Sequence, residues 1–259
     1  MTIPHVIVLV LAGFAASAVN ALAGGGSLIT FPTLVAVGLA PVPANVTNSL
    51  GVSPGYVASV AGSRGDLADL ARRRGRTALL ALLPTAVLGS AAGCVLLLAT
   101  PARTFEVVVP FLVLGATAAL AFQQRLRSMV GHPTDLSPRR RTVALQASVL
   151  LGSVYGGYFG AALGVMLVAA LGLVLDESLR HVSALKNAVS AITGLVTVVV
   201  FALFGPVDWL AVAVLVPATI AGGYAGARLL TRLPASVLRA FIVLVGTVVG
   251  VVLLVRALA

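Results

Sequence analysis

Charged residues and prolines divide the chain into ten apolar stretches, at roughly 3–22, 24–39, 42–63, 77–99, 104–122, 142–158, 160–175, 183–204, 209–230 and 236–256. A helix needs about 20 apolar residues to cross the hydrocarbon core of a bilayer. Six stretches have that length: 42–63, 77–99, 104–122, 183–204, 209–230 and 236–256. The pattern therefore predicts an all-α membrane protein that crosses the bilayer many times.

The four remaining stretches form two pairs, and each pair is joined by a glycine-rich corner. The corners are residues 23–26 in the first pair and 155–160 in the second. The second stretch of each pair has 16 residues, which as a helix is about 24 Å long and short for a perpendicular crossing. Each pair is expected to be a hairpin, either re-entrant or fully spanning, that returns the chain to the side from which it came.

The composition supports a membrane protein and excludes other classes. Hydrophobic residues make up 59% of the chain and charged residues only 9%, whereas soluble domains carry about 25% charged residues. The net charge of +10 does not indicate nucleic-acid binding, because the 17 basic residues lie in short clusters between apolar stretches. The single cysteine, Cys94, excludes a disulfide framework and a cysteine-based metal site.

The basic clusters predict how the chain is oriented in the plasma membrane. Five arginines lie in residues 64–76 and five more in residues 123–141. If both termini are extracytoplasmic, 15 of the 17 basic residues face the cytoplasm, as the positive-inside rule requires. Residues 3–22 lack the basic n-region of a signal peptide, so this stretch is expected to remain as the first helix.

The two halves of the chain resemble each other weakly but in register. Asn48 aligns with Asn187 at an offset of 139 residues, and Pro84 aligns with Pro217 at an offset of 133. We divide the chain into a first membrane repeat at 1–128, a basic cytoplasmic linker at 129–141 and a second membrane repeat at 142–259. A hairpin plus three crossings in each repeat gives the two repeats opposite orientations. Inverted-topology repeats are typical of secondary transporters, which bind substrate near the midplane between the repeats.

The two corners predict an anion site. If they are re-entrant tips, the N-termini of the helices after them point into the membrane from opposite sides. A helix N-terminus carries about half a positive charge and several unpaired N–H groups, so two of them form an anion site without a buried cation. Backbone amides, hydroxyls, two carboxamides and one cation at the cytoplasmic mouth are expected to line the path. These substrate-binding candidates are Gly24, Gly25, Gly26, Ser27, Thr30, Asn48, Gly157, Gly160, Lys186 and Asn187.

Helix packing is an alternative explanation for several of these residues. Small residues at every fourth position let membrane helices approach closely, and glycines recur at that spacing at 152, 156, 160 and 164. The glycines at 89, 93, 222 and 226 we interpret as packing residues. Asn48 and Asn187 are also suited to bonding a neighbouring helix, and Lys186 is also suited to anchoring its helix at the membrane surface.

Enzyme activity is not predicted. Residues 51–55 match the G-x-S-x-G pattern, but in hydrolases that motif needs a strand–turn–helix elbow and a paired histidine. Here it lies in a helix-length apolar run, and we interpret Ser53 and Pro54 as a helix break. No catalytic residue, metal, cofactor or nucleic-acid partner is expected. The predicted crossings contain no carboxylate near mid-membrane, which leaves Asp176 and Glu177 as candidates for a proton-linked gate.

Several segments spread over nearly the whole chain carry a family resemblance. They are residues 23–32 with the run into 48–50, residues 156–164 with 184–187, and residues 222–228 with 233–234. In these segments the chain resembles the sulfite exporter TauE/SafE family of membrane proteins. The resemblance implies export of a small anion of the sulfite or sulfonate class across the cytoplasmic membrane.

The sequence thus predicts a secondary transporter that exports such an anion by alternating access between two inverted repeats. A passive anion channel or an importer with the same site is an alternative, and a membrane scaffold without transport is a third. The expected partners are the small anion and the lipid bilayer. The sequence leaves open which anion is carried, which ion is coupled and whether the chain forms a homo-oligomer.

Overall fold

The computed structural model describes residues 2–22, 25–128, 137–229 and 235–258, which are helical and contain no β-strand. The helices of the first half are α1 (Ile3–Leu22), α2 (Ser27–Ala36), α3 (Pro41–Gly62), α4 (Arg64–Arg74), α5 (Arg76–Leu80), α6 (Leu82–Ala99), α7 (Ala102–Ala121) and α8 (Gln123–Ser128). Those of the second half are α9 (Pro138–Tyr158), α10 (Leu163–Val174), α11 (Leu179–Phe204), α12 (Trp209–Leu229) and α13 (Ala235–Leu258). The predicted all-α fold class is confirmed.

The outer surface of the helical bundle is apolar, as a lipid environment requires. Leu88, Leu151 and Phe204 are 67%, 68% and 73% exposed. Among the described residues, three helical segments are long and apolar enough to cross a membrane: Arg76–Ala99, Ala102–Ala121 and Leu179–Phe204. Length, composition and surface together make the chain a membrane-embedded protein.

The helices that follow the two glycine-rich corners are short. α2 has 10 residues and α10 has 12, which correspond to lengths of about 15 and 18 Å, roughly half of the hydrocarbon core. Both are shorter than the 16-residue stretches in the sequence because turns shorten them. Gly38 has a φ of +102° after α2, and Gly160 has a φ of +72° before α10. Glycine adopts this left-handed region without the steric cost that a side chain adds.

Helix α3 is continuous through Pro54, so the predicted helix break at Ser53 and Pro54 is wrong. A proline inside a helix removes one N–H and disturbs the carbonyls of the preceding turn. The carbonyl of Gly51 accepts a hydrogen bond of 2.9 Å from the Thr219 hydroxyl on α12. In a membrane, such a contact from a neighbouring helix makes an internal proline tolerable.

The most extensive contacts between helices join the two halves of the chain. α1 packs along α12, α6 along α9, α3 along α11 and α7 along α13. In addition, α3 contacts α12 and α11 contacts α6. The short helices α2 and α10 lie inside this arrangement, packed against α3 and α11 respectively. Seven of the ten α2 residues are buried, so this short helix is enclosed by protein.

Glycines at the helix contacts allow backbone to approach backbone. A Cβ added to Gly93 would lie 2.2 Å from the Val154 carbonyl oxygen on α9. A Cβ on Gly222 would lie 2.1 Å from the Phe14 carbonyl oxygen on α1. Real Cβ atoms are not found at such distances, so these positions need glycine, in agreement with our interpretation of them as packing residues.

One end of the bundle is rich in arginine. From the sequence we expect residues 64–76 to be a loop on the membrane surface. In the structure this stretch contains the helix α4, whose Leu70 side chain is buried. Asp66 lies in the first turn and three arginines lie in the last, the charge order that a helix dipole favours. Residues 175–181, which lead into α11, contact α4 through Arg74 and Glu177. We call this end, formed by residues 63–76 and 175–181, the basic end.

Replacing Gly93 or Gly222 by alanine is expected to destabilise the protein, because the added methyl group meets backbone that cannot move independently of its helix. The expected cost is about 1–3 kcal/mol each, measured as a lower midpoint of thermal unfolding in detergent. Gly115 lies mid-helix in α7 with open space around its Cα, and Gly115→Ala is the matched control. It is expected to leave the midpoint unchanged or raise it. Equal midpoints for all three variants would contradict the close-packing interpretation.

Candidate functional site

A small cavity lies in the interior, where α2, α3, α11 and the second glycine-rich corner meet. It encloses about 20 Å³, enough for one water-sized group. We call it the central cavity. Seven of its 13 lining residues have polar side chains: Ser27, Asn48, Ser49, Ser53, Tyr56, Thr193 and Thr197.

The N-termini of both short helices reach the central cavity. Ser27 is the first residue of α2 and Leu163 is the first residue of α10, and both line its wall. Gly160, in the corner before α10, lines it as well. The first N–H groups of a helix have no partner within that helix and carry partial positive charge. The cavity therefore lies at the positive ends of two helices.

Asn48 is held in place by the adjacent short helix. The Thr30 hydroxyl donates a hydrogen bond to Asn48 Oδ1, and both side chains are buried, with 0% and 2% of their surface exposed. Because this bond engages the carboxamide oxygen, the Nδ2 group is left to donate to whatever occupies the cavity. The structure thus brings Ser27, Thr30, Asn48 and Gly160 of the sequence-predicted set to one place.

Five further polar residues of the wall, Tyr56 among them, were not singled out from the sequence as binding residues. Ser49 and Ser53 are four residues apart on α3, and Thr193 and Thr197 are four apart on α11. Residues at this spacing share one helix face, which is the signal that could have found them. Ser53 Oγ donates to the Ser49 carbonyl at 2.6 Å, a bond within a continuous helix and not the elbow of a hydrolase.

A second, smaller cavity adjoins the first. It encloses about 10 Å³ and is lined by Ser17, Asn20, Gly26 and Thr219. The two cavities share Ser27, Val52 and Tyr56. These three side chains form the partition between them, and Gly26 therefore lies on the far side of that partition from the central cavity.

Gly157 and Gly25, which the sequence indicated as site residues, have packing contacts in the structure. A Cβ on Gly157 would lie 2.2 Å from the Ser90 carbonyl oxygen on α6, so this glycine lies at a helix contact. Gly25 has a φ of +89° and packs beside Leu120. Gly24 lies outside the described residues, as do residues 129–136 of the predicted linker.

Lys186 and Asn187 lie between the central cavity and the basic end. A Cβ on Gly164, the residue after Leu163, would lie 3.3 Å from Lys186 Cδ and 3.5 Å from its Nζ. Asn187 Nδ2 donates to Ser63 Oγ at 3.1 Å, and Ser63 follows the end of α3 at the basic end. Asn187 is thus apart from Asn48 and not beside it, although the two align in the repeat.

The electrostatics of the central cavity come from dipoles. None of the residues that line it is Asp, Glu, Lys or Arg. Across the part of the chain that the structure describes, no group of three or more His, Cys, Asp or Glu residues is placed to hold a metal ion. The groups of the cavity that can interact with a ligand are helix ends, hydroxyls and one carboxamide.

Comparison with known proteins identifies the family. The family model described as "Sulfite exporter TauE/SafE" matches residues 9–253. The chain belongs to the sulfite exporter TauE/SafE family. The resemblance carried by the glycine-rich corners and the segments after them is therefore confirmed.

Several relatives in the TauE/SafE family match the chain along most of its length. It is 30% identical over 258 residues to "Probable membrane transporter protein YfcA" of Escherichia coli K12, covering 95% of this chain and 87% of that protein. It is 27% identical over 239 residues to a "Probable membrane transporter protein" of Haemophilus influenzae, covering 90% and 88%. It is 26% identical over 250 residues to "Probable membrane transporter protein ORF9" of a Sinorhizobium species, covering 95% and 91%. No solved structure matches the chain.

The contact between Thr30 and Asn48 is expected to stabilise the fold. Thr30→Val keeps the shape of the side chain but leaves the buried Asn48 oxygen without its donor, at a cost of about 1–3 kcal/mol. The matched control is Thr33→Val on the same helix, because Thr33 is half-buried and bonds only to the Ile29 carbonyl of its own helix. Thermal unfolding in detergent is expected to show a lower midpoint for Thr30→Val than for Thr33→Val. Equal midpoints would show that the contact contributes nothing to stability.

Proposed function

We propose that the chain is a secondary transporter that exports a small sulfur-containing anion, such as sulfite or a sulfonate, by alternating access. The observation that carries this proposal is the convergence of α2 and α10 on the central cavity. Each helix N-terminus is equivalent to about half a positive charge, so two of them offset about one negative charge. The proposal therefore assigns the central cavity as the anion site.

The hydrogen-bonding groups of the cavity support this assignment. An oxyanion presents several oxygen atoms that only accept hydrogen bonds. Asn48 Nδ2 and the hydroxyl of Ser27 are donors on the wall, whereas the Ser49 hydroxyl donates to the Asn45 carbonyl at 2.9 Å. A wall without carboxylates adds no repulsion against an anion. Lys186, seven residues before the wall residue Thr193 on α11, adds a positive charge on the side of the basic end.

The packing of the helices supports two inverted repeats. If residues 1–128 and 142–259 are equivalent, α1 corresponds to α9, α3 to α11, α6 to α12 and α7 to α13. Exchanging the halves then turns the α1–α12 contact into the α9–α6 contact and leaves the α3–α11 and α7–α13 contacts unchanged. A two-fold relation between repeats produces this pattern of contacts. Repeats of opposite orientation are the architecture on which alternating access is built.

The lengths of α2 and α10 support re-entrant hairpins. At about 15 and 18 Å, both helices reach only to the middle of the bilayer. In the proposed topology they enter from opposite faces and stop with their N-termini at the central cavity. Both are enclosed by longer helices, which is the condition for placing helix ends at that depth.

The central cavity is smaller than the proposed cargo. Its 20 Å³ admits one water-sized group, whereas sulfite has four non-hydrogen atoms. Binding of the anion therefore requires the walls to separate. A rocking movement of one repeat against the other, as in other inverted-repeat transporters, provides that separation.

The charge distribution supports an orientation in which the basic end faces the cytoplasm and both termini are extracytoplasmic. Five arginines lie in residues 64–76 at that end. In this orientation Lys186 and Asn187 lie on the route from the cytoplasm to the central cavity. An anion leaving the cell meets these two residues first and Asn48 afterwards.

The relatives support transport as the activity, because their names describe them as probable membrane transporters. The family description supports sulfite or a related anion as the cargo. The chain itself adds the dipole-lined site, whose positive helix ends suit an anion.

The direct experiment is anion flux in proteoliposomes, comparing sulfite, sulfate, a small sulfonate and chloride with and without a pH gradient. We expect saturable flux of sulfite or the sulfonate. Asn48→Ala is expected to raise KM about 10- to 100-fold, which corresponds to losing a hydrogen bond of about 1.5–3 kcal/mol to a charged group. Asn187→Ala is expected to lower the maximal rate more than it raises KM, because Asn187 lies on the route and outside the cavity.

The matched control for both asparagine variants is Thr33→Val, which alters α2 outside the cavity and is expected to leave flux unchanged. Flux that does not saturate with concentration would favour a channel in place of a transporter. Saturable flux that Asn48→Ala leaves unchanged would remove the anion site from the central cavity. An absence of flux for every anion, in protein with a normal unfolding midpoint, would overturn the proposed cargo.

A further inference from the structure

His181 bridges two carboxylates from different elements at the basic end. Its Nδ1 lies 2.9 Å from Oε2 of Glu177, one turn earlier in the segment that leads into α11. Its Nε2 lies 3.0 Å from Oδ2 of Asp69 on α4. The residue is only 8% exposed. The imidazole therefore joins the start of α11 to the surface helix α4.

Both carboxylates are held in the charged form by arginines. Arg72 and Arg73 pair with Asp69 at 3.2 and 3.3 Å, and the hydrogen bond from Arg72 is the largest effect that lowers the pKa of Asp69 below its ordinary value. Burial raises the pKa of Glu177, but hydrogen bonds from Arg74 and His181 and the charge of Arg74 outweigh it, so this pKa is also lowered. Both groups remain carboxylates from mildly acidic to alkaline pH.

Hydrogen-bond chemistry then determines the charge state in which the bridge is complete. A carboxylate only accepts hydrogen bonds, so both ring nitrogens must donate if both contacts are to be satisfied. Only the imidazolium has two N–H groups. A neutral imidazole has one, and its other nitrogen would place a lone pair against a carboxylate. Protonation completes the bridge between α4 and α11, and deprotonation removes one of its two links.

Among the other charged and titratable groups around His181, Arg74 on α4 also joins these elements, since it donates to Glu177 and to the Asp176 carbonyl. The Arg74 links stay in place from mildly acidic to alkaline pH, so His181 supplies the part of the contact that depends on a proton. Arg180 is exposed beside His181 on α11. α10, which packs against α11, has no titratable side chain. In the described parts of α3, α6 and α9, which also pack against α11, no side chain forms an ion pair with His181. The titratable residues of these three helices are Tyr56, Cys94, Arg139, Arg140, Arg141, Tyr155 and Tyr158.

The bridge belongs to the basic end and lies on the boundary that also carries Asn187 and Lys186. Along the same boundary between the α3–α4 segment and α11, Asn187 donates to Ser63, and Lys186 lies beside Gly164 at the start of α10. Opening a path from the basic end to the cavity requires this boundary to separate. The contacts at Asp69, Glu177 and Ser63 hold it closed.

We propose that His181 is the proton-binding residue of a gate formed by α4 and the start of α11, closed when the imidazole is protonated and released when it is neutral. The proposal rests on the proposed transport function, in which the basic end is the cytoplasmic entrance. Histidine is the side chain whose charge changes between pH 5 and 8. A rise in pH on the side of the basic end therefore opens the central cavity to that side.

The experiment measures the gate directly by the distance between two spin labels. Gly65 is exposed on α4 with open space around it, and Leu179 is exposed at the start of α11. Cysteines at these two positions, in a Cys94→Ala background, carry nitroxide labels in protein reconstituted in lipid nanodiscs. Pulsed electron resonance at pH 5.5, 6.5, 7.5 and 8.5 gives the populations at short and long distance. We expect the ratio of the long-distance population to the short-distance population to rise with pH. Release of one proton gives a rise of up to about tenfold per pH unit.

His181→Gln keeps a polar side chain but binds no proton, and it is expected to abolish the dependence of the distance on pH. Asp69→Asn provides a second test that keeps the imidazole, and it is expected to reduce the population at short distance at pH 5.5. The matched control is His5→Gln in α1, which is expected to respond to pH as the parent does. An identical distance distribution at all four pH values would overturn the proposal. A pH response of His181→Gln equal to that of the parent would overturn it as well.

The distance measurement needs no substrate, so its outcome is separate from that of the flux experiment. If the distance responds to pH through His181 but no anion flux is found, the gate is supported and the proposed cargo is overturned. If saturable anion flux is found but the distance does not change with pH, the cargo is supported and the gate is overturned.

Discussion

Helix ends inside a membrane must be enclosed by protein, because hydrocarbon cannot hydrogen-bond the free N–H and C=O groups. In the proposed topology α2 and α10 each place a helix N-terminus at such a depth, and much of the remaining architecture follows from that requirement. α1, α3 and α13 lie against α2, and α9 and α11 lie against α10. α6 and α12 pack in turn along α9 and α1. The close approaches at Gly93, Gly157 and Gly222 make this enclosure tight. The central cavity is the space left where the two enclosed ends meet.

The constraint also explains why the cavity is polar without being charged. The Ser53 hydroxyl donates to the Gly194 carbonyl and so fastens α3 to α11 while lining the wall. The Thr197 hydroxyl donates to the same carbonyl within α11. Asn48 is fastened in turn by Thr30. A lysine or carboxylate at this depth would need a partner and a large solvation cost. Dipoles provide a field for an anion without that cost.

The membrane class, the helices and both corners could be predicted from the sequence, because apolar length and glycine clusters depend on local chemistry. The set formed by Ser27, Thr30, Asn48 and Gly160 was also within reach, since the corners indicate Ser27, Thr30 and Gly160 and the repeat indicates Asn48. The placement of Asn187 was not, because a repeat aligns residues along the chain and does not require their side chains to turn the same way. The continuity of α3 through Pro54 was missed for a related reason, because the hydrogen bond from Thr219 to the Gly51 carbonyl spans 168 residues. The link between His181 and Asp69 spans 112 residues and leaves no local pattern.

The two halves differ most at α4. The first half has an 11-residue surface helix between α3 and α6, whereas only residues 205–208 connect the equivalent α11 and α12. In a perfectly symmetrical pair of inverted repeats, the inward-facing and outward-facing states would be mirror equivalents with equal energy. α4 adds ion pairs to one face alone, and a bias of about 1.4 kcal/mol already makes one state ten times more populated than the other. In the proposed transporter this bias sets a resting direction, through a helix of the first repeat that the second repeat does not contain.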